Sequence, residues 1–318
     1  MSRWTPLLMD EASLGAMPGL PLDEVMQHAH LVAAQRLKPT ELYERWERQQ
    51  WSAVDIPLER DRENFDRLLP EGFRKVVSES IATFIIGEYT GLDMLGPIIS
   101  GSPDERYSVF LGTQIADETR HTHLVFRLGE EILGMDADPG RMLAESWRLA
   151  APAHRELSLL EAGIVRDLQH RPLDYRQWLR AVALFHLVTE GVLALVGQRV
   201  LVRALRDVDL LDGVKTAFTA MCRDESRHVG FGLHALRTGV LEGYHDDICE
   251  VLELAVPLAL RIDQETSAGT NRDFRRMSLD ILRRHLRLVG IDEKFQERLI
   301  ADATGAARAG ADAHPTSS

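Results

Sequence analysis

Hydrophobic residues recur along this chain at spacings of three and four, which is the period of one face of an α-helix. The clearest run covers residues 71–99, where Ile81, Ile85 and Leu92 belong to one such series. Residues 102–105 read Ser-Pro-Asp-Glu, which combines an N-cap serine, a proline at the first helical position and a glutamate three residues after the cap. This segment predicts a helix over 103–134 that ends at Gly134.

Further helices are predicted over residues 22–36, 39–49, 141–170, 174–207, 211–239, 243–268 and 272–289. We find no alternating, β-branched run bounded by turn residues that would predict a strand. The predicted fold class is therefore all-α. One domain is expected over residues 16–301, between a poorly ordered N-terminus at 1–15 and a flexible tail at 302–318 that is rich in small and polar residues.

The pattern Glu-x-x-His occurs twice, at 118–121 and at 225–228, and residues three apart lie on one face of a helix. A single occurrence is usually a solvated surface pair. Here each one follows a lone glutamate in an apolar helical run, and buried carboxylates are rare unless they are paired or bind metal. Together the four helices match the ligand set of a dinuclear metal site in a four-helix bundle. The six candidate metal ligands and catalytic residues are Glu88, Glu118, His121, Glu190, Glu225 and His228.

Four carboxylates and two imidazoles are suited to iron or manganese. The carboxylates neutralise most of the charge of two divalent ions and can change between terminal and bridging binding. Zinc is usually held by sets richer in His or Cys. We therefore expect two metal ions, Fe/Fe or Mn/Fe, with dioxygen as the co-substrate and apolar walls that limit side reactions with water.

The formal net charge of −12 argues against nucleic acid or an anionic membrane surface as a partner. Cys222 and Cys249 are the only cysteines and lack C-x-x-C spacing, so we expect a reducing, cytoplasmic location. The N-terminus has no apolar stretch typical of a secretory signal. Residues 181–197 are apolar but short for a membrane span, and they contain Glu190, which favours a buried bundle helix.

The order of these ligands resembles the ribonucleotide reductase small-subunit superfamily over residues 45–290. Trp51, followed by Asp-Ile-Pro-Leu-Glu-Arg-Asp-Arg at 55–62, is similar to an entry segment of that family, and residues 224–228 match its Asp-Glu-x-x-His motif. The resemblance implies a ferritin-like four-helix bundle with additional flanking helices, and a homodimer. It also implies that Asp224, near Trp51, accepts a hydrogen bond from a metal-binding histidine.

Within that superfamily, Gly87-Glu88 and the run Glu-Gly-Val-Leu-Ala-Leu-Val-Gly at 190–197 are similar to the ligand-binding oxidase branch. Its members hold a manganese/iron site and a long-chain ligand in a hydrophobic channel. They also form a valine–tyrosine crosslink, which Gly91 and Phe185 cannot form here. We expect the resulting space, with His186 beside it, to hold a partly apolar small-molecule substrate, although a hydrogen-bonded core histidine is the favoured interpretation of His186.

Two alternatives remain open at this point. A ribonucleotide reductase small subunit would carry a radical tyrosine four residues after His121, where this chain has Val125, and a C-terminal tyrosine, whereas residues 245–318 contain none. A non-catalytic, ferritin-like metal-binding or storage protein would accumulate oxidised iron without an organic product. An oxidase could also use an electron donor, which the sequence does not identify.

Overall fold

The computed structural model describes residues 7–267 and 274–312, and within these residues it is helical with no strand. The α-helices are α1 (Leu8–Glu11), α2 (Leu22–Gln35), α3 (Pro39–Arg48), α4 (Glu59–Arg67), α5 (Glu71–Ser100), α6 (Glu105–Glu131), α7 (Pro139–Leu149), α8 (Pro152–His170), α9 (Tyr175–Val182), α10 (Leu195–Val208), α11 (Asp212–Leu241), α12 (His245–Ser267), α13 (Phe274–Val289) and α14 (Glu293–Asp312). A π-helical segment, Ala183–Ala194, connects α9 to α10. The predicted all-α class is confirmed.

The chain divides into two compact units. Unit 1 consists of the described residues within Met1–Leu95, Glu105–Ala150 and Gly197–Gly230. In this unit α3 and α7 pack against α6, and the apolar core includes Leu124 and Phe218. Most positions of this core lie on helices, and loop residues such as Ile56 and Leu58 complete it, so unit 1 buries its helices around a common hydrophobic interior.

Unit 2 consists of the described residues within Gly96–Asp104, Ala151–Val196 and Phe231–Ser318. Here α12 packs against α8, α14 and the π-helical segment, which also contacts α13. Trp178 is fully buried and donates a hydrogen bond to the carbonyl oxygen of Ile98 at 2.8 Å. This bond satisfies the one polar group of a large apolar side chain in the interior.

Several predicted helix boundaries move by a few residues. Helix α6 begins at Glu105, and its C-terminus closes where Gly134 adopts a φ of 68° and Met135 N–H donates to Gly129 O at 3.0 Å. The helix predicted over 141–170 is two helices, α7 and α8. Pro152 begins α8, and the residue before it is extended, as the proline ring requires.

Helix α11 extends beyond Gly239, the predicted end, and the positive φ of 96° is found at Gly243 instead. Gly239 has a packing role, because a Cβ at this position would lie 2.7 Å from a methyl group of Leu179. One glycine admits a neighbouring side chain and the other provides the left-handed turn.

Within the predicted N-terminal tail, α1 places Met9 in the interior with no exposed surface, and Asp10 accepts a hydrogen bond from Gln49 at 3.0 Å. Within the predicted C-terminal tail, residues 302–312 belong to α14. Residues 1–6 and 313–318 of these predicted tails lie outside the described residues. The helices α1, α4 and α14 were not among the elements predicted from the sequence.

Among the described residues, one continuous helical stretch, Tyr175–Val208, is long and apolar enough to cross a membrane by length and composition. Of its most apolar window, 78% is buried inside the protein. This burial is what a core helix of a helical protein shows, and it agrees with the prediction of a buried helix at 181–197.

Candidate metal centre

Three helices of unit 1 bring five of the six predicted ligands together. Helix α5 provides one glutamate, and α6 and α11 each provide the glutamate and histidine of a Glu-x-x-His motif, whose spacing of three places both side chains on one helical face. All five side chains are buried. They are Glu88, Glu118, His121, Glu225 and His228.

His121 lies at the centre of the first ligand group. Its Nδ1 atom is 3.4 Å from Glu88 Oε2, 3.7 Å from Glu118 Oε2 and 3.5 Å from Glu225 Oε1. This nitrogen is buried and makes no hydrogen bond. One imidazole nitrogen thus faces three carboxylates at distances that suit ligands of one ion, because neighbouring ligands with bonds of about 2.1 Å lie about 3 Å apart.

His228 occupies the corresponding position in the second motif. Its Nδ1 atom is 3.1 Å from Glu118 Oε1 and 3.3 Å from Glu225 Oε2. Glu118 and Glu225 therefore each direct one oxygen toward His121 and the other toward His228. Carboxylates shared in this way between two imidazoles have the arrangement of bridging ligands in a dinuclear site.

An aspartate hydrogen-bonds the outward-facing nitrogen of each histidine. Asp224 Oδ2 is 3.2 Å from His121 Nε2 and accepts a hydrogen bond from Trp51 Nε1 at 2.7 Å. These contacts are the ones that the family resemblance implied for Asp224 and Trp51. A carboxylate in this position fixes the imidazole tautomer and leaves Nδ1 to face the ligand cluster.

A second aspartate, which sequence reasoning missed, repeats this arrangement around the other histidine. Asp117 Oδ2 is 3.2 Å from His228 Nε2, and Asp117 Oδ1 accepts a hydrogen bond from Trp46 Nε1 at 2.9 Å. The signal was present in the sequence, because residues 117–121 and 224–228 both read Asp-Glu-x-Arg-His. Sequence reasoning extended the motif to its aspartate in only one of the two copies.

The arginines of the two motifs connect the two aspartates. Arg227 is fully buried, and its Nη2 donates to Asp117 Oδ2 and to Asp224 Oδ1, each at 2.7 Å. Arg120 lies 3.1 Å from Asp117 and 3.5 Å from Asp224. Each of these arginines therefore pairs with both aspartates.

The pKa values follow from this network. Burial opposes ionisation of Asp224, but Arg227 and His121 outweigh it and hold the pKa of this carboxyl far below its usual range. Burial likewise opposes ionisation of Glu118, yet His121 and His228 lower its pKa. Burial raises the pKa of Glu88 to about 8, although its interaction with His121 opposes that increase.

The pKa of His121 moves in the opposite direction to those of Asp224 and Glu118. Burial favours the neutral ring, but Asp224, Glu118 and Glu88 outweigh it and raise the pKa of His121 well above its usual value. The cluster therefore attracts positive charge strongly. A site that holds protons among converging carboxylates and imidazoles offers the same lone pairs to metal ions once those protons leave.

Glu190, the sixth predicted ligand, belongs to unit 2. It is buried and lies in the π-helical segment Ala183–Ala194. π-Helical turns are rare, and they are frequently found at functional sites. Gly191, the next residue, leaves room for His285 of α13, because a Cβ at this position would lie 3.2 Å from His285 Nδ1.

The predicted pocket residues are distributed over both units. Gly91 is buried on α5 in unit 1, whereas Phe185 and His186 are buried in the π-helical segment of unit 2. The His186 ring packs edge-on against Phe185, with 4.9 Å between centroids, and 5.4 Å from Phe231. A Cβ on Gly232 would overlap the His186 side chain, so a glycine is required for this packing.

The arrangement of the buried carboxylates and imidazoles also fits two metal ions. Buried carboxylate oxygens and imidazole nitrogens converge in two groups that share Glu118 and Glu225, and the Glu118 Oε1 and His121 Nδ1 atoms have no hydrogen bond within the described structure. Buried polar atoms without hydrogen bonds are costly unless another ligand satisfies them. This buried Glu/His cluster is able to bind two metal ions.

Comparison with known families agrees with the site. A family model described as "Ribonucleotide reductase, small chain" matches residues 31–259 of this chain. The match includes every predicted ligand and both tryptophans that contact the aspartates. It ends within α12, so α13 and α14 lie outside it.

Solved structures with a similar fold are R2-like ligand-binding oxidases. A variant with an anaerobically reconstituted Mn/Fe cofactor has a TM-score of 0.71 and 18% identity, with 80% of this chain and 94% of that chain covered. A second variant, with an aerobically reconstituted Mn/Fe cofactor, has a TM-score of 0.65 and 17% identity, with 86% and 93% covered. The chain therefore has the ferritin-like, all-α fold of these oxidases.

Proposed function

Because the chain belongs to the ribonucleotide reductase small-chain family, we propose that it is a dinuclear metal oxidase that uses dioxygen to oxidise a small molecule. The observation that carries this proposal is the buried cluster in which two histidines share two carboxylates. The Mn/Fe cofactors of oxidase structures with a similar fold support Mn/Fe here, with Fe/Fe as the other candidate.

We assign three ligands to each ion. Glu88, Glu118 and His121 would hold one metal, and Glu190, Glu225 and His228 would hold the other. Glu118 and Glu225 would bridge, because each already faces both histidines. When bound, the two ions supply the electrons that reduce dioxygen to a strong oxidant.

The protein contributes orientation and exclusion of water. Asp224 and Asp117 hold His121 and His228 in the tautomer that presents Nδ1 to the ions. The ligand side chains are almost entirely buried, so bulk water has little access to the oxidant. Both effects favour oxidation of a bound compound over unproductive loss of the oxidising equivalents.

We propose that the substrate is partly apolar and binds beside Gly91, Phe185 and His186. The residue types support this, since a glycine and a phenylalanine replace the pair that forms a crosslink in the ligand-binding oxidase branch. Loss of a reactive side chain at position 91 would leave volume for a ligand. The reaction, whether hydroxylation, desaturation, N-oxygenation or bond cleavage, depends on that ligand. A homodimer, an electron donor and a cytoplasmic location are parts of the same proposal.

A radical-generating reductase subunit is the second candidate. Such a subunit would belong to the same family and hold the same kind of metal centre, so neither feature distinguishes it from an oxidase. Val125 occupies the position of the radical-bearing tyrosine, four residues after His121 on α6, and it is fully buried. An aliphatic side chain cannot store a radical as a phenol does, and this favours the oxidase.

Metal loading and oxygen uptake test the proposal. The purified protein would be reconstituted with Fe(II) and Mn(II), its metals counted, and dioxygen consumption followed with an oxygen electrode. We expect two ions per chain and rapid uptake, and native mass spectrometry of the isolated protein would identify a co-purified apolar ligand.

The matched variants are Glu118→Gln, which removes a shared ligand, and Glu130→Gln, which removes an exposed carboxylate from the same helix. We expect the first to lose metal and oxygen uptake and the second to behave as the wild type. Failure to bind either metal would refute the site. Two bound metals with no oxygen uptake would refute the oxidase and leave a metal-binding protein.

A further inference from the structure

A closed ring of hydrogen bonds joins the N-terminal helices of unit 1 to the second Glu-x-x-His motif, on α11. On one side, His28 of α2 lies with Nδ1 2.9 Å from Ser226 Oγ and with Nε2 2.8 Å from Asp10 Oδ1. A carboxylate only accepts hydrogen bonds, so His28 donates to Asp10 through Nε2. This side of the ring therefore reaches from α1 to the residue directly after the proposed ligand Glu225.

The other side of the ring returns from Asp10 to the next residue of α11. Gln49 Nε2 donates to Asp10 Oδ1 at 3.0 Å, and the Arg227 guanidinium donates to the amide oxygen of Gln49. Arg227 in turn pairs with the two aspartates that orient the histidines. Because Ser226 and Arg227 are consecutive, both sides of the ring end between the two proposed ligands of this motif.

Helix α1, which carries Asp10, is also anchored directly on α11. Arg223 Nη1 donates to the backbone oxygens of Met9 and Ala12, at 3.3 Å and 2.9 Å. The guanidinium of Arg45, on α3, donates to both carboxylate oxygens of Asp10. Asp10 thus accepts hydrogen bonds from three side chains, two of them on or next to α3 and one on α2, and these bonds fix its position.

The first Glu-x-x-His motif, on α6, has no equivalent of the serine contact among the residues that the structure describes. Thr119 occupies the position that Ser226 has in the second motif, but it is exposed, and its hydroxyl donates to Ile115 O of its own helix at 2.8 Å. Asp10 and His28 also precede residue 31, where the family match begins. The ring therefore serves one motif, and two of its members lie outside the matched region.

We propose that Asp10 is a positioning residue for the metal ligands of α11 and acts through the two sides of this ring. Holding residues 226 and 227 fixes the rotation of the helix at the motif, and with it the direction of the Glu225 and His228 side chains. The ligands of α6 are not held in this way, so the effect should fall mainly on the ion at His228. This inference rests on the proposed function, because it requires metal ions bound at the cluster, and it extends that function by assigning a role to α1 and α2.

The test measures the binding of Mn(II) alone and needs no dioxygen. Metal-free protein would be titrated with Mn(II), and the free ion would be counted by electron paramagnetic resonance, which gives an affinity for each of the two binding steps. We expect Asp10→Asn and Ser226→Ala each to weaken one step by at least about fivefold and to change the other by less than about twofold.

The matched controls are Glu11→Gln, which removes the exposed carboxylate next to Asp10, and Thr119→Ala, which removes the equivalent hydroxyl from the α6 motif. Both should bind two Mn(II) ions as the wild type does. Thermal denaturation of each metal-free variant would show that it is folded. Ser226→Ala leaves the pair between Asp10 and Arg45 intact, so it keeps the test decisive if Asp10→Asn does not fold.

The double variant Asp10→Asn with Ser226→Ala tests whether the two residues belong to one ring. Changes within one network are not additive, so the double variant should weaken the affected step little more than the stronger single change does. Additive effects would show that the two residues act separately and would overturn the proposal.

Two further results would overturn the positioning role. Equal weakening of both binding steps would assign Asp10 to the general stability of the fold, and unchanged affinities in Asp10→Asn and Ser226→Ala would show that the ring does not act on the ligands. A wild-type protein that binds no Mn(II) would refute the proposed function and this inference with it. The expected affinities in a protein that does not consume dioxygen would support the positioning role and refute only the oxidase.

Discussion

Both units bury carboxyl groups, but they compensate for the loss of solvation in different ways. In unit 1, Asp117 and Asp224 share the guanidinium of Arg227, and each also contacts a histidine. In unit 2, Glu161 of α8 is equally buried, and it accepts a hydrogen bond from the Thr189 hydroxyl at 2.5 Å.

The two environments move the pKa values in opposite directions. Cationic neighbours lower the pKa of Asp224 although it is fully buried. Burial raises the pKa of Glu161 to about 7, and the hydrogen bond from Thr189 offsets only part of this effect. Burial alone therefore does not determine whether a carboxylate stays charged; its partners do. Asp224 of unit 1 therefore stays charged beside Arg227, whereas Glu161 of unit 2 is largely neutral below neutral pH.

Removal of Arg227 should have the largest effect. Arg227→Met keeps the apolar part of the side chain but removes the fully buried one of the two arginines that pair with both aspartates, and we expect a loss of about 3–5 kcal/mol in the free energy of unfolding. Urea denaturation of the metal-free protein measures this change. The double variant Asp117→Asn with Arg227→Met should recover part of the loss, and an additive result would contradict the pairing.

Glu161 should make the folded protein less stable as the pH rises, whereas an ion-paired carboxylate makes it more stable. Its pKa is raised on folding, so the unfolded chain loses this proton from about pH 4.5 upward while the folded protein keeps it to about pH 7. Stability should therefore fall by up to about 3 kcal/mol across that window and level off above it. In Glu161→Gln the corresponding fall should disappear. A profile identical to that of the wild type would show that folding does not change the pKa of Glu161.

The sequence predicted the helices and the ligands because both follow from the helical period of the chain. Spacings of three and four define α5 and α6, and the doubled Glu-x-x-His pattern indicated which side chains should converge. A π-helical segment has the same apolar composition as an α-helix, so nothing in residues 183–194 distinguished it in advance. The prediction of one helix over 141–170 was wrong because the local effect of Pro152 was overlooked.

The partners of the ligands were harder to predict, because they depend on contacts between residues far apart in the sequence. Trp46 and Asp117 are separated by 71 residues, and the pair is formed only because α3 packs on α6. Glu161 follows two leucines on α8, yet that run alone did not show whether the carboxyl faced solvent or the interior. Tertiary packing decides both cases, and local sequence patterns do not specify it.

The two aspartates should be equivalent in their effect on metal binding. Asp117→Asn and Asp224→Asn each replace an acceptor that orients a histidine, and we expect each to weaken Mn(II) binding by about 10- to 100-fold. Competition with a fluorescent chelator measures the affinity. If only Asp224→Asn weakens binding, the second arrangement around His228 has no role in holding metal, and the symmetry of the two motifs would be structural only.

The smallest expected effect concerns the hydroxyl that contacts Glu161. Thr189→Val keeps the shape of the side chain and removes the donor, so stability should fall by about 1 kcal/mol near pH 6. Because the hydroxyl favours the charged form, its loss should also move the pH-dependent window of Glu161 upward. Denaturation at several pH values would show both changes in Thr189→Val, and the shift of the pH window should be absent in the background of Glu161→Gln, which has no carboxyl to titrate at this position. A shift that persists in that background would show that the pH-dependent window does not belong to Glu161.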